Sequence, residues 1–283
     1  LEVFEPYEHL RIALHTSGPL CQWLDRHHPD YLDRLRQLVQ YGRLEIIGGA
    51  FYEPILAMIP SRDRIGQIKR FRDWLARRLG GDIRGMWIPE RVWEQSMARD
   101  LVDAGVQYTL LDDYHFKNAG LAEDELAGDY LTEDDGRTLD VIPGSEPLRY
   151  MIPFQPPEET IAYLGRISEK HPGAFVAFGD DGEKFGTWPD TKQHVYQNGW
   201  LRHFFDLLSA NKDWISTTTP AAAMAQVRPL GKVYLPEGSY REMTEWAMPV
   251  DRQIESHEVQ HMLEESSQWQ RVSSFVRGGF WRN

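Results

Sequence analysis

The sequence predicts a mixed α/β fold, a barrel of strand–helix units followed by a helical region, and three observations carry that prediction. Short apolar runs recur along the chain, stretches with apolar residues three and four apart lie between them, and from Glu242 onward helical spacing continues without a strand run. Strands separated by helices favour parallel pairing, because a parallel connection has to cross back over the sheet. About seven such units suit a ring of β/α units better than an open sheet. Residues 1–241 are assigned to the barrel and 242–283 to the beginning of the helical region.

Taken in order, the strand candidates are residues 11–16, 44–48, 85–88, 108–112, 139–143, 174–179 and 214–217. Helical stretches are expected at 29–41, 61–79, 95–104, 157–170 and 200–210. In the first of these, Tyr31, Leu32, Leu35, Leu38 and Val39 make one apolar face. Two stretches break the cadence. Residues 114–136 are polar with acidic turns and 187–199 are rich in aromatics, and long insertions of this kind carry active-site loops.

Composition excludes several classes. With 41% hydrophobic and 26% charged residues, the 283-residue chain is not of the disordered type. A net charge of -12 without any basic stripe argues against a nucleic-acid partner. Cys21 is the sole cysteine, which excludes an internal disulfide framework, and no apolar run reaches the roughly 18 residues of a membrane span. The first residues show no secretory signal, so a cytoplasmic location is expected. Both ends read like interior sequence: Leu1-Glu-Val-Phe-Glu-Pro at the start, and FVRGGFWRN (275–283) as buried structure rather than a polar tail. A piece of a longer protein is therefore expected. Ten tryptophans are a surplus that calls for an explanation.

Barrel chemistry gathers at the C-terminal ends of strands. The polar residues near those positions are His15, Glu45, Glu90, Asp112 with Asp113, and Asp180, Asp181 and Glu183. Carboxylates on different strands, beside Trp87, Trp93 and Trp188, suit glycosidic-bond cleavage. That reaction needs one carboxylic acid to protonate the leaving oxygen and a second carboxylate as base or nucleophile. Asp181, between Asp180 and Glu183, has the neighbours to hold a proton, and Glu90, next to Arg91, has the neighbour to stay ionised. Tryptophan rings stack on the apolar faces of sugars. Each feature also has a plain structural reading: Asp-Asp-Gly as a turn, Glu90–Arg91 as an ion pair, Trp87 and Trp93 as core.

Two other arrangements compete. HEVQH (257–261) matches H-E-x-x-H on a helical stretch, in which His257 and His261 would bind zinc in a metallohydrolase. No third ligand follows at the usual distance, which favours an exposed polar helix face. Asp112, Asp113 and His115 have the donor chemistry of a metal-dependent deacetylase, or equally of a turn at a strand end. A non-catalytic sugar-binding fragment is a further alternative.

WIPERV (87–92), GDDGEKFGTW (179–188) and GRLEII (42–47) resemble three signature regions of glycoside hydrolase family 57. The resemblance extends through GGAFYEPILAMIP (48–60), LLDDYHF (110–116), LRYMIPFQP (148–156) and YLPEGSYREMTEW (234–246). It implies a (β/α)7 barrel, here lacking its first strand, and a helical region behind it. It also implies a retaining enzyme acting on α-1,4-glucan or maltooligosaccharide, nearer 4-α-glucanotransferase than α-amylase, with no cofactor and no metal. Glu90 falls at the family's nucleophile and Asp181 at its acid/base, while Glu45, Trp87, Glu183 and Trp188 fall at substrate-lining positions. The family's His-Gln-Pro strand end has no counterpart, its fifth region lies beyond Asn283, and Gly179 stands where many members carry His.

Overall fold

A computed structural model describes residues 1–273, so the expectation for 275–283 lies outside the described residues. Six strands are formed: β1 (Ile12–Leu14), β2 (Leu44–Ile46), β3 (Gly85–Trp87), β4 (Tyr108–Asp112), β5 (Tyr130–Asp134) and β6 (Arg137–Gly144). β1 and β2 pair in parallel, as do β3 and β4, and β4 and β6. Parallel bridges at Gly48–Met86 and Gly144–Ala177 extend the ladder from β1 through β3, β4 and β6 to Ala177. All five residues of β4 are buried, as a strand covered on both faces requires.

The α-helices that connect and follow these strands are α1 (Gly18–His27), α2 (Pro29–Gln40), α3 (Ser61–Leu79), α4 (Met97–Asp103), α5 (Asp113–Asn118), α6 (Glu146–Met151), α7 (Pro157–Lys170), α8 (Trp200–Ala210) and α9 (Pro220–Met224). Their starts follow local chemistry. The Ser17 hydroxyl accepts from the Leu20 amide to cap α1, and proline stands in the first turn of α2 and α7. On α3 the buried face is Ile68, Phe71, Leu75 and Leu79, the three-and-four spacing of an amphipathic helix. One core lies beneath β1 and β2 against α1–α3, and a second surrounds β3, β4 and β6 with α4. Beyond residue 240 the described residues form only helices, α10 (Arg241–Trp246), α11 (Val250–Glu264) and α12 (Trp269–Val272), and α11 has no buried residue.

Three expectations need correction. Residues 174–179 form no strand beyond the single bridge at Ala177, and 214–217 form none, tied to β1 by the Arg11 amide donating to Thr217 Oγ1 at 3.0 Å. Both segments border the large cavity. The closed ring is consequently not completed among the described residues. The polar stretch 114–136, expected as a loop, contains α5 and β5. β5 returns antiparallel onto β6 through Asp135 and Gly136, both at positive φ (49° and 75°), the backbone a tight hairpin requires.

Candidate active site

A cavity of about 1350 Å³ opens beside the ends of β1 and β3 and the 174–179 segment. Five of the six site residues expected from the sequence line it: Trp87, Glu90, Asp181, Glu183 and Trp188. His15 and Glu53 line it too, with His15 Nε2 2.8 Å from Glu53 Oε1 and Nδ1 3.2 Å from the Ile47 carbonyl. The His15 ring lies so close to Gly49 that a Cβ there would sit 2.5 Å from it, which explains the glycine at that position.

Glu45, the sixth, is the middle residue of β2 and is not among the residues lining the cavity. Tyr108 Oη donates to its Oε1 at 2.6 Å and the Ala221 amide to its Oε2 at 3.0 Å. Both oxygens are thus engaged inside the protein, where they fasten β2 to β4 and to the start of α9.

Glu90 sits in a tight turn directly after β3. Glu90 and Arg91 both adopt left-handed backbone, φ 52° and 51°, a conformation that costs about 1–3 kcal/mol for a non-glycine residue and persists only when the surroundings impose it. The surroundings are the segment Gly238–Tyr240. Trp93 and Gly238 exchange backbone hydrogen bonds, and the Ser239 hydroxyl donates to the Glu90 carbonyl. Tyr240 Oη donates to Glu90 Oε2 at 2.7 Å. Burial and the neighbouring Glu90 carboxylate push the Tyr240 pKa up, so the phenol keeps its proton and remains the donor.

Arg91 does not pair with Glu90. Its buried guanidinium lies over the rings of Tyr240 (4.3 Å) and Trp87 (5.3 Å). Behind it runs a buried ionic chain. Arg149 Nη1 donates to Asp112 Oδ2 at 2.8 Å, Arg149 Nε lies 3.5 Å from Asp180 Oδ2, and Lys184 Nζ pairs with the same Asp180 oxygen. The other Asp180 oxygen accepts from the Asp181 amide at 2.9 Å. Asp180 is therefore a fixed structural acid that holds the backbone of its neighbour, while Asp181 faces the cavity.

The carboxyl of Asp181 is held above the usual carboxylate range, first by burial; Arg91 opposes the shift, and Asp180, Glu183 and Glu90 add to it. Like-charge neighbours, the cause expected from the sequence, act in the expected direction but rank below burial. Gly179 is set by packing: a Cβ would lie 3.1 Å from Trp87 and 3.2 Å from Leu110, so the indole fills the space that a larger residue would need.

Tyr240, Arg149 and Lys184 were not singled out from the sequence. Tyr240 lies 150 positions from Glu90, and no spacing rule links them; the only signal was the YLPEGSYREMTEW resemblance. Trp188 is half-open beside Phe154, rings 6.1 Å apart and 17° from parallel. Trp93 is fully buried in the core, and exposed Trp246 meets Tyr240 edge-on at 6.1 Å.

The competing arrangements separate. His257 Nε2 is 2.7 Å from Glu245 and His261 is 3.9 Å from Glu265, all on exposed helical surface. Asp112 is engaged by Arg149, Asp113 by Lys117 at 2.9 Å, and both His115 ring nitrogens face backbone carbonyls at 3.0 Å. Among the described residues no three His, Cys, Asp or Glu side chains converge as a metal-binding group.

Comparison with known proteins follows the same lines. The chain is 44% identical over its entire length to a 4-alpha-glucanotransferase of Thermococcus litoralis and to an alpha-amylase of Pyrococcus horikoshii, spanning 43% and 44% of those proteins. It thus spans less than half the length of the relatives it matches. The crystal structure of the Thermococcus litoralis 4-alpha-glucanotransferase superposes with a TM-score of 0.92 over 99% of this chain and 44% of that one. Residues 1–236 match the glycosyl hydrolase family 57 model, and the chain belongs to that family.

Proposed function

We propose that the protein is a retaining enzyme acting on α-1,4-glucans, a 4-α-glucanotransferase in preference to an α-amylase-type hydrolase. The observation that carries this is the pairing of Glu90 and Asp181 on one cavity, the first held by a phenol donor and the second with its carboxyl pKa raised, first by desolvation. The names of the relatives, divided between glucanotransferase and amylase, support the substrate class. The parallel ladder from β1 to Ala177 supports a (β/α)7-type barrel wall, open where the cavity lies. We place the end of this catalytic unit at residue 241 and the protein in the cytoplasm.

In the proposed reaction a Glu90 oxygen attacks the anomeric carbon as the glycosidic bond breaks. Asp181 delivers its proton to the departing sugar oxygen, leaving a glycosyl ester on Glu90. Asp181, now a carboxylate, takes a proton from the incoming hydroxyl, which attacks the same carbon and releases Glu90. A sugar hydroxyl gives transfer and water gives hydrolysis. Trp87, Trp188 and Glu183 line the path of the glucan. Side chains perform each proton and bond transfer, so no cofactor or metal enters the proposal.

Chromatography of the products of the full-length protein on maltotriose tests the proposal. A ladder of longer and shorter oligosaccharides is expected, and its loss in Glu90→Gln. Glucose and maltose alone would move the assignment to the hydrolase, and parental activity in Glu90→Gln would overturn it. Binding of maltotriose without any product would identify a glucan-binding module instead.

A further inference from the structure

Resting on that reading of Glu90, we propose that Tyr240 divides the labour between the two oxygens of the nucleophile and drives its release from the glycosyl-enzyme. Three observations place it there. Tyr240 is 7% exposed and donates to Oε2 at 2.7 Å, and no hydrogen bond from the described residues reaches Oε1. Its ring is held on the Arg91 guanidinium at 4.3 Å and near that of Arg149 at 5.6 Å, so the phenol has little freedom to turn away. The adjoining Ser239 and Gly238 bond to the Glu90 carbonyl and to Trp93, which fixes the distance between the two segments.

The consequence is chemical. Oε2, already engaged, stays in place while Oε1 forms the bond to the anomeric carbon. In the ester that results, Oε2 is a carbonyl oxygen and a weaker acceptor than a carboxylate oxygen. In the second half-reaction the C1–Oε1 bond breaks, its electron pair returns to Glu90, and negative charge grows on both oxygens. A fixed donor at Oε2 gains strength in that transition state and stabilises the leaving carboxylate, which is differential binding of the kind that accelerates a step. In the first half-reaction the same donor loses strength as Glu90 is esterified, so it does not help attack. Tyr240 is a positioning residue that touches the nucleophile, and its effect falls on deglycosylation.

The test uses full-length protein with an activated aryl α-maltooligosaccharide, following steady-state turnover and, by intact-protein mass spectrometry, the glycosyl adduct. Tyr240→Phe, which keeps the ring, is expected to lower kcat by about 10- to 100-fold, the range for a hydrogen bond to a charged group. KM falls with it, kcat/KM changes far less, and adduct accumulates. A merely structural role would lower the amount of active enzyme without moving KM or the adduct. Tyr234→Phe, the same change at an exposed tyrosine of this segment whose hydroxyl donates to Glu133, is the control and is expected to leave the adduct fraction at the parental level. Fluorotyrosine at position 240, a stronger donor of nearly the same shape, is expected to raise the deglycosylation rate and keeps the test open should the Phe variant be unstable. No adduct in Tyr240→Phe, together with an unchanged rate for the fluorotyrosine protein, overturns the inference. If Glu90→Gln is inactive while those two results hold, only the inference fails; if Glu90→Gln is fully active, the reading of Glu90 fails with it.

Discussion

Asp181 and Glu90, to which the proposed reaction gives different roles, differ in their surroundings, and the difference is measurable. Asp181→Asn removes the proposed proton donor and is expected to lower kcat about 10²- to 10⁴-fold on unactivated maltooligosaccharides, with a much smaller loss on an aryl leaving group that needs no proton. The proposed reaction requires protonated Asp181 in the first step, so activity should decline as pH rises through the elevated Asp181 pKa. Asp180 and Glu183 both contribute to that elevation. Glu183→Gln, which deletes one like charge, should therefore move the alkaline limb of the pH–rate profile to lower pH, and Arg91→Met should move it higher. A limb that stays in place in both variants would assign the acid elsewhere. Asp180→Asn is a different experiment, because that side chain is buried among Arg149 and Lys184, and stability should fall as well.

Among the elements, β2 and β5 show where sequence patterns carry and where they stop. The β2 run was legible, but the partners of Glu45 within it were not. Alternation along a strand tells which face a residue takes and not which partner waits there, and here Tyr108 and the Ala221 amide occupy it. Glu45→Ala is expected to cost about 1–3 kcal/mol in denaturant unfolding, the range for leaving buried partners unsatisfied, while turnover per folded molecule stays near the parental value. A selective loss of kcat with full stability would return Glu45 to the site. β5 was missed because its flanks are polar, although Asp135-Gly136 is a hairpin signal. The helices at 61–79, 157–170 and 200–210 were legible to the residue, since each has a long apolar stripe and a clear end.

At the scale of the molecule, several carboxylates are held out of their ordinary range by burial. Asp113 and Asp140 are both pushed up to about 6, the latter by burial and by Asp129 opposite it. A carboxyl whose pKa is higher folded than unfolded binds its proton more tightly in the native state. Its contribution to stability is present at low pH and is lost as pH rises from about 4, the unfolded value, towards 6. Asp140→Asn should remove this dependence at one site. Relative to the parent, the variant is expected to gain more at pH 7.5 than at pH 4.5 in denaturant midpoints, and an equal difference at both would show that Asp140 is not the titrating group.

The sequence by itself determined the family, much of the alternation of strands and helices, and five of the six expected residues that meet on the cavity. These are local or motif properties: periodicity, capping and a short string such as WIPERV are written in neighbouring residues. Tertiary structure alone decided that Glu45 faces inward, that Arg91 lies on aromatic rings rather than on Glu90, that Asp180 is a buried anchor beside a cavity-facing Asp181, and that Tyr240 meets Glu90 from 150 positions away. Each of those contacts joins segments distant in the chain. Which side chain meets which then depends on how the strands are registered and how the core fills, and no spacing along the chain records that.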